Sequence, residues 1–212
     1  MKRLLITVPA ALALFAVSTH ARAESIDGRE IFGVRVGGVF SAMELDEAFG
    51  KGSELEIHFV EGLGSWYGIG VALSGHDFGK SRDREADLDF TGTTRAVDLL
   101  IYSITGAFYA QTGLSERLSG QFEAGGGLYT TTASIPAGAF LEGRITKNQP
   151  GIYTGAGLSY RITDGGLSLG MICKFHYVFS GDHYKQAIYF YTGEERAHFF
   201  QIAVGVTFFT GN

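Results

Sequence analysis

Leu167-Ser168-Leu169-Gly170-Met171-Ile172-Cys173-Lys174-Phe175-His176-Tyr177-Val178-Phe179 is the stretch whose reading decides the fold. Leu167, Leu169, Met171, Cys173, Phe175, Tyr177 and Phe179 form one set, and Ser168, Gly170, Lys174 and His176 fall on the other. A period of two puts the two sets on opposite faces of a β-strand. Thirteen residues of it exceed the usual strand of five or six.

The same period recurs seven more times. Residues 30–41 set Phe32, Val34, Val36 and Phe40 against Gly33, Arg35, Gly37 and Ser41, and residues 54–60 set Leu55, Ile57 and Phe59 against Glu54, Glu56 and His58. Tyr67, Ile69, Val71 and Leu73 oppose Gly68, Gly70, Ala72 and Ser74; Leu100, Tyr102, Ile104 and Phe108 oppose Ser103, Thr105, Ala107 and Gln111. Phe122, Ala124 and Leu128 oppose Gln121, Glu123, Gly125 and Gly127; Ile152, Ala156, Leu158, Tyr160 and Ile162 oppose Gly155, Gly157, Ser159 and Arg161. Last come Phe200, Ile202, Val204, Val206 and Phe208 against Gln201, Ala203, Gly205 and Thr207.

Eight strands are therefore expected. Short turns follow the second, fourth and sixth (62–65, 114–117, 163–166), and long polar connections follow the first, third, fifth and seventh (42–53, 76–96, 133–150, 180–196). Pro136 and Pro150 both fall in one of those connections, where no ladder bond is lost. An even strand count with this alternation of loop lengths predicts an all-β, eight-stranded antiparallel up-and-down transmembrane barrel, with short periplasmic turns and long extracellular loops.

A soluble barrel also alternates, so charge must choose the outer face. Arg35, Glu54, Glu56, Glu123, Arg161 and Lys174 all lie in the polar set, and the apolar sets hold no charge except for Asp98, which is in phase with Leu100. A charge facing lipid at mid-membrane costs roughly 2–4 kcal/mol. The remaining polar-set residues are mostly Gly, Ala and Ser, suited to the narrow lumen of an eight-stranded closure. The apolar set accordingly faces lipid, Cys173 with it.

Composition agrees. Lys2 and Arg3 lead an apolar run from Leu4 to Val17, followed by Ala21-Arg22-Ala23, a small-x-small cleavage signature. Residues 1–23 are thus expected to be a cleaved secretory leader and 24–212 the barrel domain. Three of the 17 basic residues (Lys2, Arg3, Arg22) belong to the leader, which leaves 14 against 22 acidic residues and a net charge of −8. Such a charge argues against nucleic acid as a partner. Gly makes up about a sixth of the mature chain, twice the usual share, while Cys173 alone forms no internal disulfide.

Ile31-Phe32-Gly33-Val34-Arg35-Val36-Gly37-Gly38-Val39-Phe40, the unit from Gly155 to Asp164 and the ending Phe200 to Phe208 resemble the small outer-membrane barrels of the OmpA/OmpX kind, over roughly residues 28–209. The resemblance implies a location in the bacterial outer membrane and lipid and lipopolysaccharide as surroundings. It further implies a monomer, and an interior acidic–basic cluster that plugs the lumen. Phe200, Ile202, Val204, Val206 and Phe208 resemble the signal read by the barrel-insertion machinery, although the chain continues through Phe209 to Asn212.

The candidate lumen cluster comprises Arg35, Glu56, His58, Glu123, Arg161, Lys174 and His176. Glu123 and Arg161 are expected toward the periplasmic end of neighbouring strands, and His58 and His176 to face inward and approach each other or Glu56. Static ion pairing is the commoner use of such charges, and a lumen hydrogen bond the commoner use of such histidines. His76-Asp77 is expected at the mouth of a long loop, where some larger membrane proteases keep acid–base pairs. Lipid A deacylases are similar in architecture, but their His-x-Ser arrangement is absent: the second residue after His58, His76, His176, His183 and His198 is Val60, Phe78, Val178, Lys185 and Phe200. Lys80, Arg82, Arg84 and Arg95 are candidates for pairing with lipopolysaccharide phosphates at the rim. Lys185–Tyr191 is either a docking surface for an extracellular partner or an extension of its hairpin. Trp66, Tyr67, Tyr160, Tyr177, Phe179 and Phe208 are expected at the membrane interfaces. The expected function is a non-enzymatic barrel without cofactor or metal, serving envelope integrity or surface interaction through its loops. The alternatives are an OmpW-like conduit for hydrophobic solutes or a lipid-modifying enzyme.

Overall fold

The computed structural model describes residues 25–42, 49–80, 98–135, 143–164, 166–179 and 196–210. The expected leader, Arg82, Arg84, Arg95 and the run 185–191 lie outside them. Eight strands, β1 (Glu30–Ala42), β2 (Lys51–Gly62), β3 (Tyr67–Lys80), β4 (Asp98–Gly113), β5 (Leu118–Ile135), β6 (Gly143–Arg161), β7 (Leu167–Phe179) and β8 (Arg196–Thr210), pair antiparallel in chain order. The ladder Glu30↔Thr210 through Ala42↔His198 closes the ring between β1 and β8.

Every strand has the face assignment expected from its alternation. Val36, Ile57, Val71, Ile104, Leu128, Ile152, Met171 and Val204 are exposed on the outer wall, whereas Arg35, Glu56, Ala72, Thr105, Glu123, Tyr153, Ile172 and Ala203 are buried inside. So much contiguous exposed apolar surface is untenable in water and is solvated by hydrocarbon.

The three short connections are hydrogen-bonded turns: Leu63 N–H donates to Tyr67 O (3.0 Å), Leu114 N–H to Leu118 O (2.8 Å) and Ile162 N–H to Leu167 O (2.8 Å). Gly166 in the last of these has φ +91°, and a Cβ there would lie 2.7 Å from Phe209 O. At this turn end the chain before β1 tucks under the barrel. Ile26 joins Ile31, Val60 and Tyr109 in a buried apolar cluster, with Phe209 packed against it.

At the other end the strands run further than their alternation of large and small residues predicts, so the connections are shorter. His76 does not sit at a loop mouth: it is inside β3, fully buried, with Phe78 buried beyond it. Pro150 is likewise not in a loop but in β6, opposite Leu128 and one residue beyond the β7 ladder that begins at Gly151. An edge place of this kind tolerates a missing N–H. The cause is common to both. A transmembrane strand needs only about 9–11 residues, and these have 12 to 19. Beyond the hydrocarbon the period of two continues with its polarity inverted. Asp77, Asp98 and Asn148 face outward there, while Val39, Phe49, Phe78, Leu99, Ile101, Tyr129, Val178 and Phe199 pack inside.

Asp98 illustrates the boundary. It pairs with Lys80 in register at the loop end, directly after a shift between Asp77 and Gly79. Gly79 takes φ +65° and its N–H donates to Asp77 Oδ1 at 2.8 Å. A rim position and a bulge together account for its break with the apolar phase.

Candidate functional site in the barrel lumen

Four charged side chains from four strands meet at mid-height. Arg35 on β1 donates to Glu56 Oε1 on β2 (2.7 Å) and to Glu123 Oε1 on β5 (2.6 Å). Lys174 on β7 reaches Glu56 Oε2 (2.7 Å) and Glu123 Oε2 (2.8 Å). Each carboxylate thus bridges both cations in a closed ring of two acids and two bases, with side chains at most 6 % exposed. The Tyr153 ring, 4.8 Å from Lys174 Nζ, supplies a cation–π contact beside it.

The ring depends on glycine. Gly155 lies between Glu123 and Lys174 in register, and Gly205 lies beside Arg35. A Cβ at Gly155 would stand 2.7 Å from Lys174 Cγ, and one at Gly205 would stand 2.7 Å from Arg35 Cγ. The missing side chains are the room through which long charged ones cross the barrel.

Two of the seven candidate cluster residues stand elsewhere. Arg161 does not join the ring: it lies at the turn end of β6, where its Nη2 donates to Glu116 O. Glu123 is correspondingly not at the turn end but in the ring, six residues along the ladder from Arg161's level. His58 and His176 do not approach each other. His58 Nδ1 lies 3.7 Å from Glu56 Oε1. His176 belongs to a second layer toward the loop end, where Nε2 donates to Gln201 Oε1 (2.7 Å) and Nδ1 accepts from Tyr129 OH (3.0 Å).

That second layer is what the candidate cluster missed. Gln201 Nε2 donates to Glu54 Oε1 at 2.6 Å, and Glu54 Oε2 faces His76 Nδ1 at 3.5 Å. His76 and His176 meet edge to face at 5.3 Å, and Phe199 stacks on His176 at 4.5 Å. Glu54 was detectable two residues before Glu56 on the same face. His76 was hidden by the inversion of polarity at its strand end.

The remaining candidates lie on the outside. Lys80 is exposed at the end of β3. Phe200, Ile202, Val204, Val206 and Phe208 point outward along β8. Trp66, Tyr67 and Phe108 cluster at the turn-end rim (Trp66–Tyr67, 5.0 Å), and Tyr177 packs on Phe179 (4.8 Å) at the loop-end rim. Cys173 is exposed on the outer wall. Among the described residues no group of three His, Cys, Asp or Glu side chains is placed to hold a metal ion.

Lumen side chains, apolar outer wall, short turns and long hairpins together define an eight-stranded outer-membrane β-barrel fold. No family model and no curated protein matches the chain. Solved structures do. The chain is similar to Neisserial surface protein A (NspA), with 14 % identity, 86 % of this chain and 97 % of that one covered, and a TM-score of 0.59. It is also similar to Ail, the attachment invasion locus protein of Yersinia pestis (11 %, 87 % and 99 %, 0.53), and to a major outer membrane protein of Thermus thermophilus (13 %, 85 % and 99 %, 0.50). At these identities the shared property is the fold.

Proposed function

We propose that this chain resides in the bacterial outer membrane as a monomeric, non-enzymatic barrel with a sealed lumen, serving envelope integrity or surface interaction through its loop end. The observation that carries the reading is the Arg35–Glu56–Lys174–Glu123 ring, whose two acids and two bases bond across the lumen and are committed to each other rather than to a solute. Apolar clusters at both ends support it. An unbroken ladder from β1 round to β8 speaks against the lateral opening that a hydrophobic conduit needs.

In this reading the outer wall contacts lipid and lipopolysaccharide, whose phosphates pair with Lys80, Arg82, Arg84 and Arg95 at the rim. The outward row of β8 serves the insertion machinery during assembly, and the long loops are available to an extracellular partner. Ion flux through the purified protein in liposomes tests the central claim. Brief openings at most are expected, and steady conductance would overturn it. Unchanged lipid A mass spectra on deletion and overexpression are expected if the chain modifies no lipid.

A further inference from the structure

The charges inside the lumen do not balance, and the imbalance falls on one pair. The ring holds two carboxylates and two cations, each acid bonded to both bases. Glu54 is a third carboxylate, two residues loopward of Glu56, and its side chain and that of His76 are both fully buried. A bare carboxylate there would be an uncompensated buried charge, which is among the costliest features a fold can carry.

The groups packed round the pair offer no remedy. Lys174 is committed to Glu56 and Glu123, and Arg35 likewise. His58 lies against Glu56. β8 contributes the neutral Gln201, and β4 contributes the apolar Ile101 opposite His76. Tyr129, His176 and Gln201 form a chain in which every donor points toward Glu54: Tyr129 OH to His176 Nδ1, His176 Nε2–H to Gln201 Oε1, and Gln201 Nε2–H to Glu54 Oε1. Both nitrogens of His176 are thereby used. Both nitrogens of His76 lack a hydrogen-bond partner, as does Glu54 Oε2 opposite its Nδ1.

We propose that Glu54 and His76 together hold one extra proton in the closed lumen, so that the pair is net neutral, and that this proton locks the loop-end half of the barrel. Phe199 connects the pair to the apolar cluster above. Its ring packs on His76 at 4.9 Å, on His176 at 4.5 Å and on Phe78 at 5.4 Å. Losing the proton puts a bare charge directly beneath that cluster and loosens it first. The inference rests on the burial of these two side chains and not on the role proposed for the barrel.

The test is urea unfolding of the whole protein in lipid vesicles for the native chain, E54Q, H76F and the double variant. H76F should lower the folding equilibrium constant by more than about tenfold, and E54Q added to it should restore most of that loss. Additive effects of the two substitutions would overturn the proposal. Carbon and nitrogen NMR shifts of Glu54 and His76 in the native chain decide it without any variant. An ionised carboxyl beside a neutral imidazole at pH 7 would likewise sink it.

Discussion

Lys174 shows how much one residue carries in a lumen this narrow. Its ammonium is bonded to two carboxylates that Arg35 alone cannot neutralise. Lys174→Met should therefore cost about 3–5 kcal/mol, the usual penalty for removing one partner of a buried ion pair. Adding Glu56→Gln should recover part of it, both read as shifts in the urea midpoint. Gly155 bears on the same ion from behind. Gly155→Ala places a methyl 2.7 Å from Lys174 Cγ and 3.0 Å from Cys173 O, and since backbone cannot yield as a side chain can, a loss of about 1–3 kcal/mol is expected in the same assay.

At the scale of strands and turns, the outer wall and the tight turns set the limits. Met171→Arg puts a charge on the lipid face of β7 and should cost about 2–4 kcal/mol, whereas Thr130→Lys, on the exposed stretch where β5 meets Asn148, should change stability little. Gly166→Ala forces a side chain into φ +91° against Phe209, at a cost of about 1–3 kcal/mol, with refolding into vesicles as the measurement. The eight faces were legible because hydrocarbon and lumen impose opposite demands on alternate residues. Residues 167–179 even matched β7 end to end. Strand ends were not legible where the outer wall leaves the hydrocarbon, because Phe78, Leu99 and Phe199 turn inward there and invert the pattern. The ring members were visible as charges in the wrong company. Which acid met which base depended on strand register, and a one-residue alternation cannot supply it. For the same reason Arg161 was grouped with a cluster it does not reach, while His76 was left out of the layer it helps to build because it stands at the strand end where the pattern inverts.

Across the molecule, the ring ties together positions that are remote along the chain. Arg35 meets Glu56 across 21 residues, Glu123 across 88, and Lys174 meets Glu56 across 118. The Arg35–Glu123 and Lys174–Glu56 links cross the lumen between strands that are not neighbours, so the ring is complete only once the barrel is closed. Before that moment Arg35 and Lys174 lie on sheet edges or hairpins that are still open to solvent, and dehydrating either one separately is unfavourable. Arg35 can meet Glu56 within the β1–β2 hairpin, but the full ring is completed only with closure, and the last seam to zip is also the step that dries the interior. A barrel arrested one strand short would keep a wet and charged inner face. Insertion would then discriminate finished from unfinished molecules by the hydration of their cores, with no recognition of shape required.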